Sequence, residues 1–181
     1  VSSCTVSVTA KNNGINGKDS LTVTDSEVKV TSGGDALRST NDSDEALGFV
    51  YIENSDLDLT AGEDGIQAQT RLTVSGGNYR IVSGGGSRGK VSSDTSAKGL
   101  KGVGEVLVAG GTFVIDSCDD AIHSNGNVTI SGGNLTLSTG DDGVHADEKV
   151  TVSGGEINIT ESYEGLEGAT VDISGGTVRI T

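Results

Sequence analysis

Part of this chain repeats itself every 22 residues. Asp119-Asp120-Ala121-Ile122-His123-Ser124 is followed by the run Val128 to Leu137, with Gly132-Gly133 at its centre. The same order returns as Asp141-Asp142-Gly143-Val144-His145-Ala146 followed by Val150 to Ile159. It returns again as Tyr163-Glu164-Gly165-Leu166-Glu167-Gly168, whose second half, Val171 to Ile180, arrives one residue early. A fixed period in this range is the mark of a stacked repeat in which each unit leans only on its neighbours.

Each unit carries two apolar-polar-apolar segments separated by a Ser-Gly-Gly corner, then a short element of the form Gly/Ala-apolar-X-small. Alternation with period two sends one set of side chains inward and the other outward. The glycine pair suits a tight corner that needs positive φ. Three short strands per turn with glycine at the corners describe an all-β fold, a single parallel β-helix. Composition agrees. With 3% aromatics, no Trp, Met or Pro, and 29 glycines, the chain lacks large side chains for a globular centre, whereas layers of Val, Ile, Leu and Ala fill a thin solenoid.

The register extends through residues 1–181 as one domain of about seven to eight coils. Val6 and Val8 fall where Leu135 and Leu137 do, so the sequence opens within a coil. The next coils read Ile15, Leu21, Val23, Val28, Val30; then Leu37, Val50, Ile52, Leu57, Leu59; then Ile66, Leu72, Val74, Tyr79, Ile81. Asp25-Ser26 and Asn54-Ser55 stand where the glycine pair is expected. About seven extra residues lie around Thr40 to Leu47, and a twelve-residue insertion lies within Ser83 to Ala97. Cys4 and Cys118 fall at different corners several coils apart, too far to be bridged.

Stacking turns sequence positions into surface columns. Two residues before the inward apolar residue of the short element stand Asn13, Asp35, Asp64, Lys98, Asp120, Asp142 and Glu164. Three before it stand Asn12, Gly34, Glu63, Ala97, Asp119, Asp141 and Tyr163; one after it stand Asn16, Arg38, Gln67, Lys101, His123, His145 and Glu167. Carboxylates repeated at one strand spacing repel unless a cation or a Lys intervenes. His123 and His145 stack as surface imidazoles or as ligands of a transition metal. The net charge of −14 argues against nucleic acid as a partner, and no run approaches the roughly 18 apolar residues of a membrane span.

The segments Gly140-Asp141-Asp142-Gly143-Val144-His145-Ala146-Asp147, Lys98-Gly99-Leu100-Lys101 and Ser162-Tyr163-Glu164-Gly165-Leu166-Glu167-Gly168 resemble the bacterial carbohydrate-binding β-helix family, whose fold is similar to that of pectate lyases. The resemblance covers most of Ile15 to Thr181 and is densest after Lys98. It implies a right-handed helix, an extracellular or cell-surface location, calcium in the acidic corners and affinity for a polysaccharide such as cellulose or pectin. Asp119, Asp120, Asp141 and Asp142 are the expected calcium ligands, with Asp147 or Glu164 completing the set and Glu63 with Asp64 a poorer second site. Phe49 and Tyr51, outward on one strand, are the expected sugar platform.

Two other functions remain open at this stage. A rigid rod with open strand edges suits end-to-end assembly into a surface filament, with possible glycans at Asn41, Asn127, Asn134 and Asn158. A calcium-dependent uronate lyase would use Lys98, which lies between Asp64 and Asp120 in its column beside the large insertion, as its base.

Overall fold

The computed structural model describes residues 1–181. It contains strands and no helix, and its 18 strands form one continuous hydrogen-bonded sheet with every pairing parallel. The strands fall into three ladders. The first stacks Ile15–Gly17, Leu37–Ser39, Ile66–Ala68, Leu100–Gly102 and Ile122–Ser124, then the first halves of Val144–Val152 and Leu166–Ile173. The second stacks Ser20–Thr24, the first halves of Phe49–Ala61 and Arg71–Ser83, Glu105–Val108 and Asn127–Ile130, and closes on the second halves of Val144–Val152 and Leu166–Ile173. The third stacks Thr5–Ala10, Glu27–Ser32, the second halves of Phe49–Ala61 and Arg71–Ser83, Thr112–Ser117, Asn134–Thr139, Glu156–Glu161 and Thr177–Ile180. The chain visits the three ladders in turn, which makes the molecule a parallel β-solenoid.

The column Thr22, Tyr51, Thr73, Leu107, Thr129, Thr151, Asp172 is paired rung by rung as the repeat requires. The one-residue deletion before Val171 is absorbed between Ala146 and Lys149, where the register shifts. Inside, a single cluster of 34 buried apolar residues fills the solenoid. Ile66, Leu100, Ile122 and Val144 are fully buried in the first ladder. Leu166 pairs with Val144 in the same ladder but is half-buried, since its other side meets no further rung. The two bulkiest inward positions are neighbours on adjacent turns, and Tyr79 and Phe113 stack with ring centroids 4.3 Å apart.

The corners are set by backbone conformation. Gly76, Gly77, Gly133 and Gly155 take positive φ. Where the sequence offers Asp25 and Asn54 instead, these residues adopt φ of 49° and 45°, as Asp and Asn tolerate better than other side chains. A corner without Gly-Gly therefore keeps the same path. In the first ladder a different constraint acts: a Cβ on Gly143 would lie 2.6 Å from both the carbonyl of Gly165 and Ile159 Cδ1, so adjacent turns approach too closely for a side chain there.

The insertions lie against the solenoid wall. Residues 84–97 fold over neighbouring turns, with the Ser87 amide donating to Asp116 Oδ1 at 2.6 Å and its hydroxyl to Glu161 Oε2 at 3.2 Å. In the shorter insertion Asn41 is buried, and its side-chain oxygen accepts from the amides of Ser43 and Asp44. This corrects its reading as a glycan acceptor: its side-chain nitrogen is committed to Asp19 at 2.7 Å. Both cysteines are free.

Candidate functional site

The carboxylate column that looks solvated in the sequence is buried. Asp35, Asp64, Asp120 and Asp142 are all between 2% and 4% exposed. The reason lies in the turn that precedes each first-ladder strand. Asn13 Oδ1 accepts the amide of Asp35 at 3.0 Å, Asp35 Oδ1 that of Asp64 at 3.0 Å, and Asp64 Oδ1 that of Lys98 at 2.8 Å. Beyond Lys98 the pattern resumes, with Asp120 Oδ1 accepting from Asp142 at 3.1 Å and Asp142 Oδ1 from Glu164 at 3.1 Å. Each side chain thus satisfies a backbone donor of the next turn that the short ladder would otherwise bury unpaired.

In three of the four turns the second carboxylate oxygen meets a nitrogen side chain three residues later in sequence. Asp35 Oδ2 accepts from Arg38 at 2.8 Å, Asp120 Oδ2 lies 2.8 Å from His123 Nδ1, and Asp142 Oδ2 lies 3.2 Å from His145 Nδ1. Asp64 is served from the next turn by Lys101 at 3.3 Å. The sequence carries the recurring Asp-X-X-Arg/His spacing in Asp35–Arg38, Asp120–His123 and Asp142–His145. Reading the columns separately hid it, because the two partners stand in different columns. His123 is correspondingly buried, contrary to its reading as a surface imidazole.

Lys98 is the pivot of the corner. Its ammonium sits 2.5 Å from Asp119 Oδ2 and 3.1 Å from Asp120 Oδ2. Burial pushes the amine down, but the adjacent charges of Asp120 and Asp119 outweigh it and hold the group above its ordinary value. Asp120 shows the converse balance. Burial raises it, while the hydrogen bond from His123 and the charge of Lys98 bring it down to about 2.

The expected ligand set divides, with Asp120 reaching both sides through a further group that it forms with His123 and His145. Asp119, Asp120 and Asp141 place carboxylate oxygens within 4.8 Å of one another, whereas Asp142 turns to the other side and groups with His145 and Glu167. Asp147 reaches the same histidine from outside, its Oδ1 3.2 Å from Nε2. The Glu164 side chain is exposed and joins neither group. Glu63 lines an open, polar pocket with Asp64, Asp35 and Arg38.

Unbalanced charge remains at two places. Asp142 is pushed up to about 6 by burial, by the hydrogen-bonded Glu167 and by Asp120. Asp35 is pushed up to about 6 by burial and by Asp64. A carboxyl whose folded value lies above its unfolded one stabilises the protein at low pH, and that stabilisation is lost as pH rises through the folded value. In chelator, the melting temperature is therefore expected to rise by a few degrees from pH 7.5 to 5, about 1–1.5 kcal/mol per group. Asp35→Asn, remote from both histidines, should remove its share of that rise in a calorimetric scan.

An open cleft lies beside this corner. One wall is the insertion, through Lys90, Ser92 and Thr95, and the other is Cys118, Asp119 and Asp141. One rung beyond Asp141 stands Tyr163, whose amide donates to the Asp141 carbonyl at 2.7 Å and whose residue is 82% exposed. Phe49 and Tyr51 alternate outward from Val50 and Ile52 as expected but are half-buried, with Tyr51 between Thr22 and Thr73.

With the corner and its cleft defined, comparison with known proteins gives one match: the family described as carbohydrate-binding domain-containing protein, over residues 1–143. The chain belongs to this family. No curated protein and no solved structure matches it significantly. In this carbohydrate-binding-domain protein, the matched residues contain the large insertion, the Lys98 pivot and the Asp119, Asp120 and Asp141 cluster.

Proposed function

We propose that this protein is a non-catalytic, extracellular module that binds an acidic polysaccharide of the pectin type in the cleft between residues 84–97 and the Asp119–Asp141 corner. Family membership carries the carbohydrate part of this reading. The acidic cluster at the foot of an open cleft, with a fully presented aromatic ring one rung away, supports the location. An elongated site along a solenoid edge suits a chain of sugars better than a single small ligand, and Tyr163 offers the flat apolar face on which a sugar ring stacks.

Calcium belongs to the proposal. Asp119, Asp120 and Asp141 supply only oxygens, the donor type a hard dication takes. Asp141 is raised by burial and by the neighbouring charges of Asp142, Asp120 and Asp119, which shows that negative charge there is incompletely offset. Those residues would hold the ion, and a calcium bound by them would also attract the carboxylates of a uronate chain. Lys98 competes for two of the three side chains.

Lys98 also supports the non-catalytic reading. A lyase base must be deprotonated when it acts, and the two aspartates keep this amine protonated at neutral pH.

Retention on pectate gel and on insoluble cellulose tests the proposal. With calcium present, the protein is expected to be held on pectate and released by chelator. Tyr163→Ala should weaken retention several-fold, while Phe49→Ala/Tyr51→Ala should leave it unchanged. Loss only in the Phe49/Tyr51 pair would move the site to the second-ladder face, and no retention on either matrix would favour a structural role.

A further inference from the structure

The other half of the acidic corner has a different chemistry. His145 Nδ1 lies 3.2 Å from Asp142 Oδ2, 3.1 Å from Glu167 Oε2 and 4.0 Å from Asp120 Oδ2. On the far side of the ring, Nε2 lies 3.2 Å from Asp147 Oδ1. Asp147 is itself held by Asn125 Nδ2, 3.0 Å from its Oδ2. A neutral imidazole carries one proton. With that proton on Nε2 facing Asp147, Nδ1 faces carboxylate oxygens and calls for either a second proton or a metal ion between them. A carboxylate behind the ring that fixes the tautomer is the usual partner of a metal-bound histidine.

The spacing fits a particular class of ion. Zinc binds nitrogen and carboxylate oxygen at about 2.0–2.2 Å, so two of its tetrahedral ligand atoms stand roughly 3.3–3.6 Å apart. The contacts of 3.1 and 3.2 Å around His145 Nδ1 need only a few tenths of an ångström of expansion. Calcium and magnesium prefer oxygen alone, whereas imidazole suits zinc and its transition-metal neighbours. Glu167 and His145 are partly exposed, so an ion can enter from solvent and keep water in its remaining position. Beside them, His123 is buried and pairs its Nδ1 with Asp120 Oδ2 at 2.8 Å. Its ring centroid is 4.9 Å from that of His145.

The geometry points to a site for one zinc-class transition-metal ion held by His145 Nδ1, Asp142 and Glu167, oriented by Asp147 and distinct from the all-oxygen cluster of Asp119, Asp120 and Asp141. Asp142 and Glu167 belong to successive turns, so the ion ties them together and stabilises the solenoid as well as neutralising its edge.

The test uses the full chain stripped of metal and titrated with cobalt(II) alone and with zinc alone at neutral pH. One equivalent of cobalt should bind with visible absorption bands of a nitrogen- and oxygen-ligated ion, and zinc should displace it. His145→Ala should lower zinc affinity at least about 100-fold, and Asp147→Asn about 10–100-fold. Glu167→Gln, a surface change that keeps side-chain size, should lower it about 10-fold, which guards against a His145 variant that fails to fold. Absence of saturable one-to-one binding, or binding indifferent to both Glu167→Gln and Asp147→Asn, would overturn the assignment. So would stoichiometric displacement of zinc by millimolar calcium, since the site would then belong to a hard cation.

Discussion

Ile122→Asp is expected to yield no folded protein: circular dichroism should lack the β-sheet minimum and thermal melting should show no cooperative transition. Ile122 is wholly inaccessible and stands at the middle of the first ladder, between Leu100 and Val144. Exposing such a side chain forfeits about 1.5–3 kcal/mol, and an unpaired carboxylate in its place adds several kcal/mol more. Together these approach the whole stability of an ordinary domain, about 5–15 kcal/mol. Because each turn rests only on its neighbours, no distant packing can compensate. Thr112→Asp, on an exposed position of the third ladder, should melt within about a degree of the parent.

Asp120→Ala should produce the next largest loss, about 3–5 kcal/mol in a denaturant titration. One carboxylate accepts the Asp142 amide and balances both His123 and Lys98. Its removal leaves a buried amide without an acceptor and a largely buried ammonium with Asp119 alone. Asp120→Asn separates the two contributions. The amide oxygen can still accept from Asp142, so the backbone term survives while the charge is lost, and the destabilisation should be clearly smaller. If the two variants were equally stable, the ladder of side-chain acceptors would contribute nothing of its own.

The inward positions were legible in the sequence because alternation of period two has only one solution once a face is buried. Val6 with Val28 and Val8 with Val30 sit in register as the repeat demands. The acidic corner was legible as a column but not as chemistry. Asp120 and Asp142 stand at positions that look outward, and a carboxylate in that place reads as solvated. Their burial depends on the turn before each first-ladder strand, which carries Oδ1 to an amide of the next coil. That geometry has no periodicity of its own. The separation of the oxygen cluster from the histidine-centred groups follows from the same turn, because Asp119 and Asp141 lie one residue before the point at which the side chains enter it, while Asp120 belongs to both. The Tyr163 ring was hidden for a simpler reason: it is the only aromatic in a column otherwise made of small and acidic residues.

The location of the glycan is most directly measured by hydrogen exchange with pectate oligomers in calcium. Backbone amides within the ladders and at the corner, those of Gly140, Asp141 and Tyr163 included, are already hydrogen-bonded, so the informative amides are those of the insertion wall from Lys90 to Ser93. Protection is expected within residues 84–97, strongest from Lys90 to Ser93, and it should disappear in chelator. Protection confined to the strand that carries Phe49 and Tyr51, or none anywhere at saturating oligomer, would contradict the assignment of the cleft.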